Sequence, residues 1–219
     1  MYVFLFLALP SFIIWYALTH QKFEWKAFVP PALWGFLFAL VLCAIQEFFM
    51  LPVISHSASA LMTFLGILLK RYLIPCALLC ALFFVLSKDT WEYKCAALAP
   101  LLGAFMAVFM PYHVITGENS AAFNLIALPL LDCSVSVLIP VLASSALSAF
   151  EDHKKSSAII SLLLIPGALI IPPLMETCFY FGRRPSVLIA LSALIFAAGM
   201  AFCIIYKKRH ERTPIFMTM

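Results

Sequence analysis

The chain has 219 residues, of which 65% are hydrophobic and 11% are charged, and its mean hydropathy is +1.07. An ordinary soluble domain is about half apolar and about a quarter charged, so this composition excludes a water-soluble domain with one packed core. The net charge of +4 does not indicate a nucleic-acid partner, because the basic residues lie in short groups between apolar runs. We therefore expect an integral membrane protein.

Seven apolar runs are long enough to cross a bilayer, whose hydrocarbon core of about 30 Å needs roughly 17 to 25 residues per helix. They lie at 2–18, 28–54, 58–87, 95–114, 122–149, 157–180 and 186–206. The alternating pattern of a membrane β-barrel is absent from the sequence. The pattern predicts an all-α integral membrane protein of about seven transmembrane helices.

No Gly/Ser-rich linker, charge block or low-complexity stretch divides the chain. We expect a single polytopic transmembrane domain at 1–206, followed by a short basic cytoplasmic tail at 207–219. The first run lacks a preceding basic segment and a small-residue cleavage pattern, so it is interpreted as a retained anchor.

Prolines indicate that several of the helices are kinked, because proline removes a backbone hydrogen bond from a helix interior. They fall within or at the ends of the runs, at positions 52, 75, 100, 111, 129, 140, 166, 172 and 173. The run at 58–87 also contains Lys70 and Arg71, which leaves two alternatives open: one long helix or two short segments.

The distribution of Lys and Arg predicts the orientation, because cytoplasmic loops near helix ends carry the excess of these residues. If the N-terminus is outside, the outer loops receive only Arg183 and Arg184 from the loop residues. The cytoplasmic side then collects Lys22, Lys26, Lys88, Lys94, Lys154, Lys155, Lys207, Lys208, Arg209 and Arg212. We therefore predict a multi-pass protein of the cell membrane with an extracytoplasmic N-terminus and a cytoplasmic C-terminus.

Ionisable side chains within the runs are the main candidates for a site, because each costs at least about 2.5 kcal/mol at membrane depth unless it has a partner. Counted along the helices, they fall where they could face one another in the outer half of the bundle. The predicted buried polar cluster consists of Glu47, Lys70, Arg71, His113, Asp132 and Glu176.

Two interpretations of this cluster remain open. In the first, a polar chamber opens outward, and Glu47, His113, Asp132 and Glu176 are metal ligands or proton carriers. In the second, the two basic residues neutralise the acids and hold the helices in register. The sequence contains no His-Glu-x-x-His motif and no Gly-x-Ser-x-Gly motif that would decide between them.

Two segments carry a resemblance to a known family. WEYKCAALAPLLGAFMAVFMPYHVI, with Gly103 and Tyr112, and FNLIALPLLDCSVSVLIP, with Leu128 and Pro129, are similar to consecutive spans of PrsW-type intramembrane metalloproteases. The chain also resembles this family, which is related to the CAAX-type membrane proteases, in length, helix order and topology. The resemblance implies a PrsW-like helical membrane fold.

The family's chemistry uses a glutamate pair in the third span, a Glu-Asn pair in the fourth, and histidines in the fifth and sixth. In this chain those positions hold Lys70 and Arg71, then Val108 and Phe109, and finally Cys133 and Leu174. The resemblance therefore implies a catalytically silent member of the fold, with no catalytic residue, no metal and no cofactor, since two cations would repel a divalent ion.

A shifted register gives an alternative in which the protein is active. Gln46-Glu47 would then match the glutamate pair, and Phe109-x-x-x-His113 would match a motif of the related proteases. Glu47 and His113 would be catalytic. His113, Asp132 and Glu176 would be the metal ligands, with zinc as the cofactor.

The sequence thus predicts a non-catalytic multi-pass membrane protein of PrsW-like fold. Its expected partners are the lipid bilayer and another membrane protein or a small ligand, and we expect no nucleic-acid partner. The alternatives are an active intramembrane metalloprotease and a transporter of small solutes or ions. Kinked helices around buried charge favour the transporter, whereas the absence of an internal sequence repeat argues against it.

The predicted orientation can be tested by labelling. We expect a reporter fused after Arg212 to be cytoplasmic. In a background without accessible native cysteines, we expect a cysteine at position 120, replacing Ser120, to react with a membrane-impermeant external thiol reagent. Protection of that cysteine in intact cells, with labelling only after lysis, would reverse the orientation.

Overall fold

The computed structural model describes residues 9, 10, 13, 25–48, 59–87, 91–116, 123–151, 153, 155–182 and 184–210. Within these ranges the regular structure is entirely helical. The helices are α1 (Trp25–Phe48), α2 (Ala60–Leu86), α3 (Trp91–Thr116), α4 (Leu128–Glu151), α5 (Lys155–Tyr180) and α6 (Pro185–His210). A π-helical turn, Phe123–Ala127, leads into α4.

All six helices are long and apolar enough to cross a membrane. They correspond in order to the predicted spans from 28–54 to 186–206, which confirms a helical multi-pass membrane architecture. The predicted first span, 2–18, lies outside the described residues except for positions 9, 10 and 13. The first predicted span, and with it the total of about seven, therefore stays a prediction, as does the orientation of the termini.

The centre of the bundle is formed by α3 and α4. In each of these two helices, 78% of an 18-residue apolar segment is buried, against 22% to 39% of the corresponding segment in the other four helices. α1 packs on α3, and α5 and α6 pack on α4. The peripheral helices expose large apolar side chains, as expected of surfaces that contact lipid rather than water.

The run at 58–87 forms one continuous helix, α2, that contains a π-helical turn at Leu68–Leu73. At the end of this turn the backbone N–H of Ile74 bonds to the carbonyl of Leu69, five residues earlier. Pro75 explains the wider turn, because it has no N–H to offer the carbonyl of Arg71, and its ring would collide with that carbonyl in a regular α-helix.

Two adjacent cations in this turn have different surroundings. Arg71 and the following Tyr72 are buried, whereas Lys70 is exposed at the periphery of the bundle. A sequence run that looked like a single basic pair therefore supplies one internal and one external charge.

Gly35 allows α1 to approach α3 closely. A Cβ atom at this position would collide with the backbone carbonyl oxygen of Leu101 and would lie 3.2 Å from the backbone nitrogen of Phe105. Backbone atoms cannot move aside as a flexible side chain can. Any larger residue must therefore push the two helices apart.

We expect Gly35→Ala to destabilise the protein by about 1 to 3 kcal/mol, the usual cost of overpacking, and to lower its thermal unfolding midpoint in detergent. Gly167→Ala is the matched control, because a Cβ there meets nothing within 4 Å. Equal midpoints for the two variants would show that the α1–α3 contact is looser than described.

Candidate functional site

An arginine at membrane depth is enclosed by four helices. The Nη1 atom of Arg71 on α2 donates to both carboxylate oxygens of Glu176 on α5, at 2.8 and 3.0 Å. Its Nη2 atom lies 2.6 Å from the sulfur of Met110 on α3. Arg71 is 5% exposed and Glu176 is 1% exposed, so this ion pair is shielded from both water and lipid.

Asp132 on α4 completes the charged group. It is fully buried and interacts electrostatically with Arg71, Tyr72 and Glu176. Neither its carboxylate oxygens nor the hydroxyl of Tyr72 meets the geometry of a direct hydrogen bond with a described residue. The approach of Tyr72 to Asp132 is therefore an electrostatic contact. Among the groups that interact with Asp132, the guanidinium of Arg71 is the one that carries a compensating positive charge.

His113 lies near the end of α3 and is 7% exposed. Its ring meets Phe109 edge to face, with 4.2 Å between ring centroids and 83° between planes. It also interacts electrostatically with Arg71. Neither ring nitrogen has a hydrogen-bond partner among the described residues, so its contacts are mainly aromatic packing.

We call Arg71, Tyr72, His113, Asp132 and Glu176 the Arg71 cluster. Four of the six residues of the predicted polar cluster belong to it. Because α2, α3, α4 and α5 each contribute a member, the cluster joins both central helices to two peripheral ones.

The prediction was wrong for the other two residues, since neither is buried. Glu47 is exposed near the end of α1, where its Oε2 accepts a hydrogen bond of 3.0 Å from the hydroxyl of Tyr112. Lys70 is exposed on α2, since adjacent residues of a helix point in different directions and Arg71 takes the inward one. Glu47 therefore meets the cluster only indirectly, through Tyr112 beside His113.

Sequence reasoning missed Tyr72 and Met110, which both contact the guanidinium group; its Cζ atom lies 5.7 Å from the centroid of the Tyr72 ring. A tyrosine directly after a membrane-embedded arginine was an available signal, because its hydroxyl also needs a polar environment. The methionine had no such signal, because a thioether in an apolar helix looks like any other core residue.

A second feature lies toward the predicted cytoplasmic end. α5 packs against the first half of α2, including its π-helical turn, and a cleft opens beside the second half. The cleft has a volume of about 350 Å³ and is lined by apolar side chains such as Phe84, Leu98, Ile139, Leu147 and Leu162. This volume is at the lower end of the range for small-molecule pockets.

The Arg71 cluster does not suit a divalent metal. Its candidate ligands, His113, Asp132 and Glu176, all interact with the same guanidinium group, which keeps its positive charge under all ordinary conditions. Both oxygens of Glu176 already accept hydrogen bonds from it. Within the described ranges, no group of three His, Cys, Asp or Glu side chains is placed to hold a metal ion.

We expect Arg71 and Glu176 to stabilise the helix bundle as a coupled pair rather than independently. Arg71→Leu or Glu176→Leu alone should lower the free energy of unfolding by about 3 to 5 kcal/mol, because each leaves a buried charge unpaired. The double variant should lose less than the sum of the two. Unfolding by SDS in mixed micelles measures all three.

Lys70→Leu is the matched control for this cycle, since it removes the neighbouring cation from an exposed position. It should leave the unfolding free energy nearly unchanged. Additive losses in the double variant, or a Lys70→Leu loss as large as that of Arg71→Leu, would contradict the described pairing.

Comparison of the chain with protein-family models, curated proteins and solved structures gave no match. The resemblance to PrsW-type proteases therefore rests on the quoted segments alone and stays a prediction. The function has to be argued from the geometry of the Arg71 cluster and the surfaces around it.

Proposed function

We propose that this chain is a non-catalytic multi-pass membrane protein with a PrsW-like helical fold, which acts by binding a membrane partner or a small apolar ligand. The observation that carries the proposal is the position of Arg71. It lies among the side chains that a metalloprotease of this kind would need as ligands, and it forms an ion pair with one of them.

Charge is the reason that this arrangement favours a structural role. With both acids ionised, Asp132 and Glu176 carry two negative charges, and the guanidinium offsets one of them. A divalent ion at the same place would add two positive charges close to a cation that cannot leave. Hydrolysis would also need an open position for water on the metal, whereas the arginine and Tyr72 fill the space beside the carboxylates.

The apolar cleft next to the Arg71 cluster supports a binding function. The ion pair is located where α2 and α5 are in contact, and the apolar cleft begins where this contact ends. A cleft without charged lining residues suits a hydrocarbon group or an apolar side chain from a neighbouring helix. The cluster would then fix the helix positions that define the cleft.

A transporter of ions or protons is the second candidate. It is favoured by the polar atoms of His113 and Asp132, which are buried beside Arg71 and have no hydrogen-bond partner among the described residues. Buried ionisable groups of this type mark ion pathways in many membrane proteins. Ion flux into liposomes that Asp132→Asn abolishes would favour this function over the first.

Metal content and cleavage test the non-catalytic proposal. We expect protein purified in detergent without chelators to contain far less than one zinc per chain. We also expect it to leave a single-span membrane protein intact when both are reconstituted in the same liposomes. Elemental analysis and gel electrophoresis measure the two properties.

His113→Ala, compared with His153→Asn, identifies the source of any metal. His153 is exposed and has a φ of 57°, which asparagine tolerates well. Stoichiometric zinc that is lost only in His113→Ala, together with chelator-sensitive cleavage lost in the same folded variant, would replace the proposal with the metalloprotease.

A further inference from the structure

The described residues offer no ion-pair partner to Lys70, a cation at membrane depth. It is exposed, and neither a hydrogen bond nor an ion pair joins it to another described residue. Its neighbours Leu69, Leu73 and Ile74 are 41%, 37% and 50% exposed. Lys70 therefore lies on an apolar surface that faces the bilayer.

The depth of Lys70 makes this position costly. α2 has 27 residues and is about 40 Å long, some 10 Å more than the hydrocarbon core. Ten residues separate Lys70 from Ala60, which is about 15 Å of helix. With the helix centred in the bilayer, the Cα atom of Lys70 lies about 10 Å below the nearer surface, farther than a lysine side chain alone extends.

The adjacent residue shows how the chain compensates a charge at this depth. Arg71 receives a carboxylate from another transmembrane helix, Glu176 on α5, at 2.8 Å. The positive charge of Lys70 also needs a compensating carboxylate, but this side chain lies on the outer surface of the bundle. A carboxylate on a helix outside this chain would compensate the charge in the same way.

The helix surface beside Lys70 has room for such a helix. Gly66 lies one turn before Lys70, on the side toward which helical side chains lean. A Cβ atom at Gly66 would meet nothing within 4 Å. A glycine on a helix surface lets the backbone of a second membrane helix approach closely, and here the approach would bring the partner next to the ammonium group.

We propose that the α2 surface formed by Gly66, Lys70, Leu73 and Ile74 binds a transmembrane helix of another protein that carries an aspartate or glutamate at the depth of Lys70. This interaction rests on the proposed function and specifies its membrane partner. The partner's carboxylate forms an ion pair with Lys70, and its helix packs against Gly66.

The described carboxylates favour a different protein over a second copy as the partner. Among the described carboxylate side chains, Asp132 and Glu176 are buried within the bundle. Glu151 is exposed at the end of α4, 19 residues after Asp132, and Glu47 on α1 is exposed but already accepts the hydroxyl hydrogen of Tyr112. The described surface therefore offers a second copy no exposed carboxylate near the level of Lys70 that lacks a hydrogen-bond partner of its own.

A designed probe tests the proposal with the full chain in liposomes. The probe is a leucine-based transmembrane peptide with one central glutamate, and a peptide with leucine at that position is its control. Energy transfer from labelled protein should show about tenfold tighter binding of the glutamate peptide, a difference within the range of polar contacts between membrane helices.

Two matched pairs of variants locate the interaction. Lys70→Leu should abolish the preference for the glutamate peptide, whereas Lys155→Leu, at the exposed start of α5, should not. Gly66→Leu should weaken binding severalfold by blocking close approach. Gly167→Leu adds the same bulk on α5 at another glycine with open space around it, and it should not weaken binding.

Three outcomes would overturn the proposal. The first is equal binding of both peptides by the wild-type protein, and the second is a glutamate preference that Lys70→Leu leaves unchanged. The third is self-association of the protein that Lys70→Leu abolishes, because the partner would then be a second copy. None of these outcomes depends on zinc content or cleavage, so this proposal can fail while the non-catalytic proposal stands.

Discussion

A charge that cannot be neutralised lies inside an apolar helix bundle, and the placement of four helices follows from it. Arg71 keeps its positive charge at any ordinary pH, so the surrounding helices must supply compensation at membrane depth. α5 supplies Glu176, α4 supplies Asp132, and α3 supplies the sulfur of Met110. Since the pair is directional and buried, it defines the relative height of α2 and α5, which apolar contacts alone specify weakly in a lipid environment.

The cation that has this role lies in a π-helical turn that precedes a proline. Pro75 prevents the regular hydrogen bond to the carbonyl of Arg71, and α2 accommodates it with a π-helical turn. Arg71 and Tyr72 in this turn lie inside the bundle and Lys70 lies outside. The adjacent basic residues are thus divided into an internal ion pair between helices and an external charge.

Composition and run length were sufficient to predict a helical multi-pass architecture and the approximate positions of the six described helices. The energetic argument about charge in a bilayer also selected Arg71, His113, Asp132 and Glu176, because that argument depends only on depth. It failed for Lys70 and Glu47, because depth does not say toward which side a residue points. For Lys70 the direction depends on which face of α2 packs against α5, and for Glu47 it depends on how α1 packs against α3 near Tyr112.

The two adjacent cations of α2 lie on opposite sides of the bundle surface. Arg71 pairs with a carboxylate of its own chain, Glu176, inside the bundle. Lys70 also needs a compensating carboxylate, and it lies on the lipid-facing surface of α2. If the internal pair holds the bundle together by joining helices, then the external cation is suited to join this bundle to another, by the same chemistry and at nearly the same depth.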